Sequence, residues 1–299
     1  MFTTKNILMK LTNSGIGKEL SKDELGKMQR HLFGMYRDIE KVCERHGLRV
    51  SLAYGNVIGI LRHNGWIPWD DDLDLHMPRE DYELFLSEYI NELPSKYKVS
   101  SYLSENGAYA RFAKIFDTET TYVPLVEEET ECSGVFIDIF PIDNVPAQPF
   151  VNKFRRMWAF FMMYTATSVQ MFEDKSEKYR HIMFSSKEGK RNWRIRQLWG
   201  ALFSFVSAKT WNRWIEKFAI NNKSTGYSHV GAGLVSCYRM IPTDYFLPFK
   251  EVEVPQLGRV KIPNKSEDYL TFIYGDWKHV PDNEDKWHHY VTKIYIPEH

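Results

Sequence analysis

Four aspartates, Asp70, Asp71, Asp72 and Asp74, stand within five residues and directly follow the apolar residues 66–69. On an extended strand, Asp72 and Asp74 project from the same face with their backbones roughly 6.5–7 Å apart. Carboxylates this close repel each other unless a cation lies between them. Mg²⁺ and Mn²⁺ prefer oxygen ligands and commonly bridge to substrate phosphates. The spacing therefore predicts Asp72 and Asp74 as a metal pair, with Asp70 and Asp71 as alternatives.

A third acid stands in the sequence F-I-D-I-F, where Asp138 is surrounded by apolar strand residues. An unpaired carboxylate in such a strand is costly to bury, so the residue needs a partner or a function. We expect Asp138 to be the third metal ligand or the base that takes the proton of an acceptor hydroxyl, with Asp143 as the alternative. A purely structural carboxylate, bonded to backbone, is the competing interpretation.

Upstream of the acids, Gly55 and Asn56 stand where a predicted strand meets a predicted helix. Glycine permits close backbone approach, and a helix N-terminus offers free N–H groups to a phosphate. Arg62 and Arg79 flank the acids and could bind phosphoryl oxygens or simply neutralise the carboxylates. A strand, a Gly-X turn, a helix and then D-x-D on the next strand is the layout of a nucleotidyltransferase fold.

The surrounding elements follow from periodicity and caps. Residues 22–46 have helical spacing, with Ser21 as N-cap and Gly47 as C-cap. Period-two and apolar patterns predict strands at residues 48–55, 71–75, 109–116 and 133–143, and a helix follows Pro78. The predicted fold is α/β (α+β), a nucleotidyltransferase-like core with a small mixed β-sheet, flanking helices and a helical insertion.

Charge is distributed unevenly along the chain. We expect residues 1–149 to form the catalytic core, residues 150–225 to form a helical insertion and residues 226–299 to complete the catalytic domain. Residues 150–225 contain 15 basic and 5 acidic residues, a net charge of +10 in a chain whose formal net charge is zero. Aromatic residues alternate there with lysine and arginine. A solvated helical face is one interpretation, and peripheral contact with an anionic membrane is the other.

Composition excludes several classes of protein. A neutral net charge argues against a general nucleic-acid binder, so no nucleic-acid partner is expected. The three cysteines, Cys43, Cys132 and Cys237, are far apart and form neither a zinc motif nor a disulfide framework. The N-terminal residues lack a signal-peptide core, and no apolar run reaches the ~20 residues of a membrane span. We expect a cytoplasmic protein, peripheral at the inner face of the membrane if residues 150–225 bind lipid.

Three blocks of the chain resemble the LicD family of phosphotransferases. They are Y-G-N-V-I-G-I-L-R-H-N-G-W-I-P-W-D-D-D-L-D-L-H-M-P-R-E-D-Y at 54–82, V-F-I-D-I-F-P-I-D at 135–143 and Y-G-D-W-K-H-V-P at 274–281. The family includes bacterial phosphocholine transferases and is related to fukutin-type ribitol-phosphate transferases. In its motif, Asp72 and Asp74 match the metal-binding acids, Asp138 the third acid and Gly55 the phosphate-loop glycine. Asn56 departs from the threonine or serine that is usual after that glycine.

The resemblance implies Mg²⁺-dependent transfer of a phospho-alcohol from a CDP-activated donor to a sugar hydroxyl. CDP-choline is the favoured donor, with CDP-ribitol or CDP-glycerol as alternatives. The expected acceptor is a cell-envelope glycan or its polyprenyl-linked precursor. Two other hypotheses stay open, a nucleotidyltransferase that releases pyrophosphate and a catalytically inactive relative that docks at a membrane.

Overall fold

The computed structural model describes residues 17–104, 112–125, 129–130, 133–220, 223–230, 239–282 and 290–297. Its helices are α1 (Lys22–Arg45), α2 (Tyr54–Ile58), α3 (Arg79–Leu84), α4 (Pro149–Asp174), α5 (Glu177–Phe184), α6 (Lys187–Phe203), α7 (Ala208–Ala219) and α8 (Ser266–Tyr274). Its strands are β1 (Ser51–Leu52), β2 (Asp74–Pro78), β3 (Tyr97–Ser100), β4 (Ala113–Asp117), β5 (Thr121–Pro124), β6 (Val135–Asn144), β7 (Tyr227–Val230), β8 (Ile241–Pro242), β9 (Lys250–Val254), β10 (Gly258–Ile262) and β11 (Val291–Tyr295). The mixture of helices with a mixed sheet confirms the predicted α/β class.

Helix α1 begins where its cap predicts. The Ser21 side chain accepts a hydrogen bond from the Glu24 backbone N–H, and the Glu24 carboxylate accepts one from the Ser21 backbone N–H. This capping box satisfies two backbone donors that a helix N-terminus otherwise leaves unpaired. The buried side of the helix, which includes Met28, Leu32 and Ile39, joins the main hydrophobic core.

The main sheet has the strand order β1-β2-β6-β4-β3, and β7 and β8 extend it from the end of β6. β2 and β6 run parallel, whereas the other pairs of this sheet are antiparallel. Residues that pair directly across a sheet point to the same side of it. The sheet therefore has one face that carries Ile137, Ile139 and Leu75, all buried in the core with α1. The opposite face of the sheet carries the residues that alternate with these along each strand.

Two predicted strands differ from the observed ones. The strand expected at 48–55 is reduced to β1, because the chain turns into α2 directly after Ala53. The strand expected at 71–75 begins only at Asp74, because side chains from other elements hold residues 70–72 as a loop. Of the strand expected at 109–116, residues 109–111 lie outside the described part of the chain.

The chain forms α4 to α7 between residues 149 and 219, so the predicted helical character of this segment is confirmed there. α4, α6 and α7 pack around their own small core, which contains Met162, Ala166, Val169 and Trp211. The division of the chain into separate domains stays a prediction.

The C-terminal part covers one end of the open sheet face. In α8, Tyr269 is buried, and its hydroxyl accepts a hydrogen bond from the Tyr54 backbone N–H at 3.1 Å and bonds to His76 Nε2 at 2.7 Å. Cys43 is buried in the main core, whereas Cys132 and Cys237 lie outside the described residues. Across the described ranges, no helix combines the length and the apolar character that a membrane crossing requires.

Candidate active site

Asp74 and Asp138 lie directly opposite each other on the parallel strands β2 and β6. On the other side of β6, Lys114 of β4 is the antiparallel partner of Asp138. Its Nζ lies 2.7 Å from Asp138 Oδ1 and 3.0 Å from Oδ2. Three charged residues thus stand side by side on adjacent strands, on the sheet face that α1 does not cover. This arrangement gives Asp138 a cationic partner that the sequence-based interpretation missed.

The loop before β2 brings further carboxylates to the same place. The side-chain amide of Gln29 donates to the carbonyl oxygens of Ile67 and Asp70, at 3.2 and 2.8 Å. A Cβ atom on Gly55 would lie only 3.1 Å from Asp70 Oδ2. Glycine at this position therefore lets the Asp70 carboxylate approach the backbone of α2 closely. Asp70, given above only as an alternative, is a member of the acidic cluster.

Asn56 fixes the position of the acidic segment. Its Oδ1 accepts a hydrogen bond from the Asp74 backbone N–H at 2.7 Å, and its Nδ2 donates to the Asp72 carbonyl at 3.2 Å. Both ends of the buried amide are therefore directed at the backbone that carries the predicted metal pair. The geometry assigns Asn56 a positioning role, which differs from the phosphate contact expected from the sequence.

Burial and mutual repulsion dominate the electrostatics of the cluster. Burial, followed by the negative charges of Asp72, Asp138 and Asp70, raises the pKa of Asp74 well above its usual range. Burial and the charges of Asp72 and Asp71 raise the pKa of Asp70 in the same way. The positive charge of Lys114 lowers the pKa of Asp74, but by less than burial and the neighbouring carboxylates raise it. The cluster holds more negative charge than the described cationic side chains around it balance.

Aromatic residues surround this charge. Tyr54 has a positive φ of 43°, which is rare for a residue with a side chain, and its ring packs 5.2 Å from that of Phe140. The Phe140 ring is 4.4 Å from that of Phe112. Burial and the charge of Asp74 raise the pKa of Tyr54. For Tyr274, burial and the charges of Asp74, Asp70 and Asp72 raise the pKa, although the side chain is 47% exposed. Tyr274 thus links the acidic cluster to the surface.

The two arginines predicted to flank the acids make hydrogen bonds to other groups. Arg62 donates to the carbonyl oxygens of Trp277 and His279, at 2.6 and 2.8 Å, and so holds the C-terminal block. Arg79 comes five residues after Asp74, about 16 Å along an extended chain, at the other end of β2. Neither arginine neutralises the acidic cluster through these contacts.

Arg79 instead belongs to a buried ionic group at the helical segment. Its guanidinium donates to both carboxylate oxygens of Asp143, at 2.6 and 2.7 Å, and lies 2.9 Å from Glu216 Oε2 in α7. Asp143 is thus paired with an arginine and separated from Asp74 and Asp138. Asp71 is buried and accepts a hydrogen bond from the Tyr122 hydroxyl at 3.2 Å, so a tyrosine partners it beside the cluster.

The donor set of the cluster suits a hard divalent cation. Asp70, Asp72, Asp74 and Asp138 all present carboxylate oxygens, the ligands that Mg²⁺ and Mn²⁺ prefer, and their repulsion is what such a cation relieves. Among the residues that the structure describes, no three or more His, Cys, Asp or Glu side chains are arranged so that they could hold a metal ion. The structure therefore shows an acidic cluster with suitable chemistry, and the metal itself stays a prediction.

Lys114 is the residue that sequence reasoning missed most clearly. It stands between Ala113 and Ile115, both fully buried, in the apolar stretch A-K-I-F. A lysine among buried apolar residues of a strand needs a partner or a function, as does the aspartate at position 138. Pairing the two would have required the register of β4 and β6, which the sequence does not contain.

Comparison with known proteins gives one family match and several relatives. Residues 47–188 match the model of the LicD/FKTN/FKRP nucleotidyltransferase domain. The lipopolysaccharide cholinephosphotransferase LicD of Haemophilus influenzae is 27% identical over 270 residues, which cover 85% of this chain and 91% of that protein. Mannosyltransferase regulator 4 of Saccharomyces cerevisiae is 36% identical over 64 residues, 21% of this chain and 5% of that protein. An uncharacterized protein of Rickettsia prowazekii is 32% identical over 56 residues, 19% of this chain and 21% of that protein.

Proposed function

We propose that the chain, whose residues 47–188 match the LicD/FKTN/FKRP nucleotidyltransferase domain, is a LicD-type transferase and transfers phosphocholine from CDP-choline to a hydroxyl of a cell-envelope glycan or its lipid-linked precursor. The observation that carries the proposal is the similarity to the cholinephosphotransferase of Haemophilus influenzae, which extends over 91% of that protein's length. A match of that extent includes the acid-bearing strands as well as the helical segment.

In the proposed reaction, the acceptor oxygen forms a bond to the phosphorus that bears choline. The bond from that phosphorus to the bridging oxygen breaks, and CMP leaves with the electron pair. Asp72 and Asp74, with Asp138 if it serves as third ligand, would hold Mg²⁺ or Mn²⁺, and the cation would supply positive charge to the donor diphosphate. Asn56 keeps the segment from Asp72 to Asp74 in position through its two backbone hydrogen bonds.

Residues in and around the acidic cluster accept the proton and stabilise the charges of the reaction. Asp138 takes the proton of the acceptor hydroxyl or serves as the third ligand. Lys114, on the same sheet face, stabilises Asp138 in its charged form and offers a cation to the phosphoryl oxygens. Gly55 leaves room for the Asp70 carboxylate beside the donor phosphates. Catalysis of this kind rests mainly on positioning and charge stabilisation.

The aromatic surroundings favour choline over a polyol. A quaternary ammonium is attracted to the faces of aromatic rings, whereas ribitol and glycerol need hydrogen-bond partners for several hydroxyls. Phe140 lies two residues after Asp138 on the same side of β6, with Tyr54 and Phe112 against its ring. Lys114 Nζ already lies 3.8 Å from the ring centre of Phe136, so aromatic faces on this side of the sheet do accept cations.

The test is to incubate the protein with Mg²⁺ and each of CDP-choline, CDP-ribitol, CDP-glycerol and CTP, and to measure CMP and pyrophosphate. We expect CMP from CDP-choline, and no CMP from an Asp72→Asn/Asp74→Asn variant that retains its circular dichroism spectrum. Release of CMP only from CDP-ribitol or CDP-glycerol would support the proposed type of reaction but identify a different transferred group. Pyrophosphate from CTP without CMP from any CDP-alcohol would replace the proposal with nucleotidyl transfer.

A further inference from the structure

Helices α4 and α6 present large apolar side chains to the surface. Nine of them are between 50 and 78% exposed, although residues of this kind are usually buried. They are Phe150, Phe154, Met157, Trp158 and Phe160 on α4, Ile195, Leu198 and Leu202 on α6, and Phe205 just after α6. A surface of this size on one segment indicates an interaction site.

Helical geometry places these residues on shared faces. At about 100° per residue, Phe150, Phe154, Met157 and Trp158 fall within roughly one third of the circumference of α4. The opposite side of α4 carries buried residues, among them Ala159. On α6, Ile195, Leu198 and Leu202 have the i, i+3, i+7 spacing of a single stripe. On α4 the apolar face is exposed only over the first turns, because further along it carries Thr165 and Ser168, which are buried against α6.

The exposed start of α4 adjoins the end of α6. α4 and α6 pack against each other, with Trp199 Nε1 donating to Thr165 Oγ1 at 3.1 Å. The Phe161 ring lies 5.2 Å from that of Trp158 and 5.8 Å from that of Phe203. The Phe203 ring in turn lies 6.3 Å from that of Phe205. Aromatic contacts therefore join the exposed residues of α4 to those at the end of α6. We call the nine residues and this junction the apolar patch.

Positive charge borders the apolar patch. Arg191 and Arg194 lie on the same outward side of α6 as Ile195 and Leu198, one turn nearer the helix start. The exposed cations of the two helices are Lys153, Arg156, Lys187, Lys190, Arg191 and Arg194. The described outward part of α6 contains a single acid, Glu188, and α4 contains none before Glu173.

We propose that the apolar patch docks the protein on the surface of an anionic lipid bilayer. Its rings would enter the interface between acyl chains and head groups, and the bordering lysines and arginines would meet the lipid phosphates. α4 would contribute the exposed first turns of its apolar face, and α6 would contribute its exposed stripe, since the other side of α6 packs on α4. A second copy of the chain fits less well, because a twofold interface would set the same basic border against itself.

The experiment is cosedimentation of the full chain with vesicles of phosphatidylcholine alone or mixed with phosphatidylglycerol, at low and high salt. The test variants are Phe154→Ser/Trp158→Ser and Arg191→Gln/Arg194→Gln. Leu84→Ser/Leu103→Ser is the matched apolar control, since these side chains are 46 and 48% exposed outside the patch. Lys41→Gln/Arg259→Gln is the matched charge control, with side chains 70 and 76% exposed.

We expect the wild type to bind the mixed vesicles and to be released by salt, since added ions screen its attraction to anionic lipid. The apolar test variant should lose about tenfold or more in partitioning, the charge variant should lose its preference for phosphatidylglycerol, and both controls should bind as the wild type does. Equal binding by the wild type and both test variants would overturn the proposal. So would an absence of vesicle binding, or dimerisation in place of it that Phe154→Ser/Trp158→Ser abolishes. The assay contains neither donor nor acceptor, so its outcome is independent of the proposed transfer reaction.

Discussion

Asp74 and Asp138 stand in register on adjacent parallel strands, and Asp138 is paired on its other side with Lys114. The two carboxylates belong to sequence blocks that are far apart in the chain, and the parallel pairing of β2 with β6 brings them to one sheet face. Because side chains on strands have few orientations, this register positions the acids more rigidly than a loop could. Predictions about the site start from this pair.

Replacing Asp74 with asparagine should abolish transfer while stabilising the metal-free protein. The variant removes a predicted metal ligand, so we expect a loss of at least about a hundredfold in kcat/KM. It also removes a carboxyl group whose pKa burial and the charges of Asp72, Asp138 and Asp70 raise, so Tm without metal should increase. Differential scanning calorimetry and donor turnover measure the two effects.

Metal addition and removal provide a second test at the same residues. Mg²⁺ should raise the Tm of the wild type, because a ligand that binds the folded state stabilises it, and EDTA should reverse the gain and stop turnover. The Asp74→Asn variant should show little or no Mg²⁺-dependent gain in Tm. An equal gain in both proteins would place the cation elsewhere.

Lys114→Met should lower kcat/KM by about tenfold to a hundredfold, the range of one charge-assisted hydrogen bond. The variant leaves Asp138 without the ammonium group that lies 2.7 Å away. Steady-state kinetics separate two roles, since loss of a contact to the donor raises KM whereas loss of support for Asp138 lowers kcat. Lys98→Met, at an exposed position on the neighbouring strand β3, is the control. Identical kinetics in the two variants would contradict the role of Lys114.

Asn56→Ala should cost about 1–3 kcal/mol of the free energy of unfolding, because it leaves the Asp74 N–H and the Asp72 carbonyl without their partner. Turnover should fall as well, since the acid segment loses its fixed position. Urea denaturation gives the first quantity and donor turnover the second. The exposed Asn91→Ala should change stability by less than about 0.5 kcal/mol. Equal effects of the two substitutions would show that the Asn56 amide does not hold the segment from Asp72 to Asp74 in place.

Glu216 should make stability fall with rising pH between about 4.5 and 7. Burial raises its folded-state pKa from 4.5 to about 7, with Arg79 opposing and Asp143 adding to the rise. In this window the folded state keeps a proton that the unfolded state releases, so the contribution is present below pH 4.5 and is lost as pH rises through 7. Urea denaturation across this range, compared between the wild type and Glu216→Gln, should show a steeper decline in the wild type by up to about 3 kcal/mol. Parallel curves would mean that Glu216 titrates normally.

Local signals explain which parts of the fold could be predicted. The start of α1 follows from Ser21 and Glu24, whose capping box involves neighbours in sequence. The strand around Asp138 follows from alternating burial, which β6 shows over its first seven residues. The onset of β2 could not be predicted, because it depends on Asn56 and Gln29, side chains that reach the acid loop from other elements.

Dependence on tertiary contacts also limits how much of the candidate site could be predicted. Its acids were identifiable because aspartates are conspicuous among apolar residues, whereas Lys114 required the register between β4 and β6. Arg79 was predicted near the acids because it is close to them in sequence. It lies at the far end of β2 because its partners Asp143 and Glu216 are gathered there by tertiary packing.

The contact between Arg79 and Glu216 sets a condition for exchanging parts between relatives. Arg79 begins α3 and Glu216 lies on α7, so a chimera that takes its helical segment from another protein can remove one of the acids that neutralise this buried guanidinium. Leaving a buried charge without any partner costs about 3–5 kcal/mol, and because Asp143 still pairs with Arg79 we expect a smaller loss here. Grafted helical segments should therefore retain more stability when they bring an acid to the position of Glu216, so residues 79 and 216 should be exchanged together.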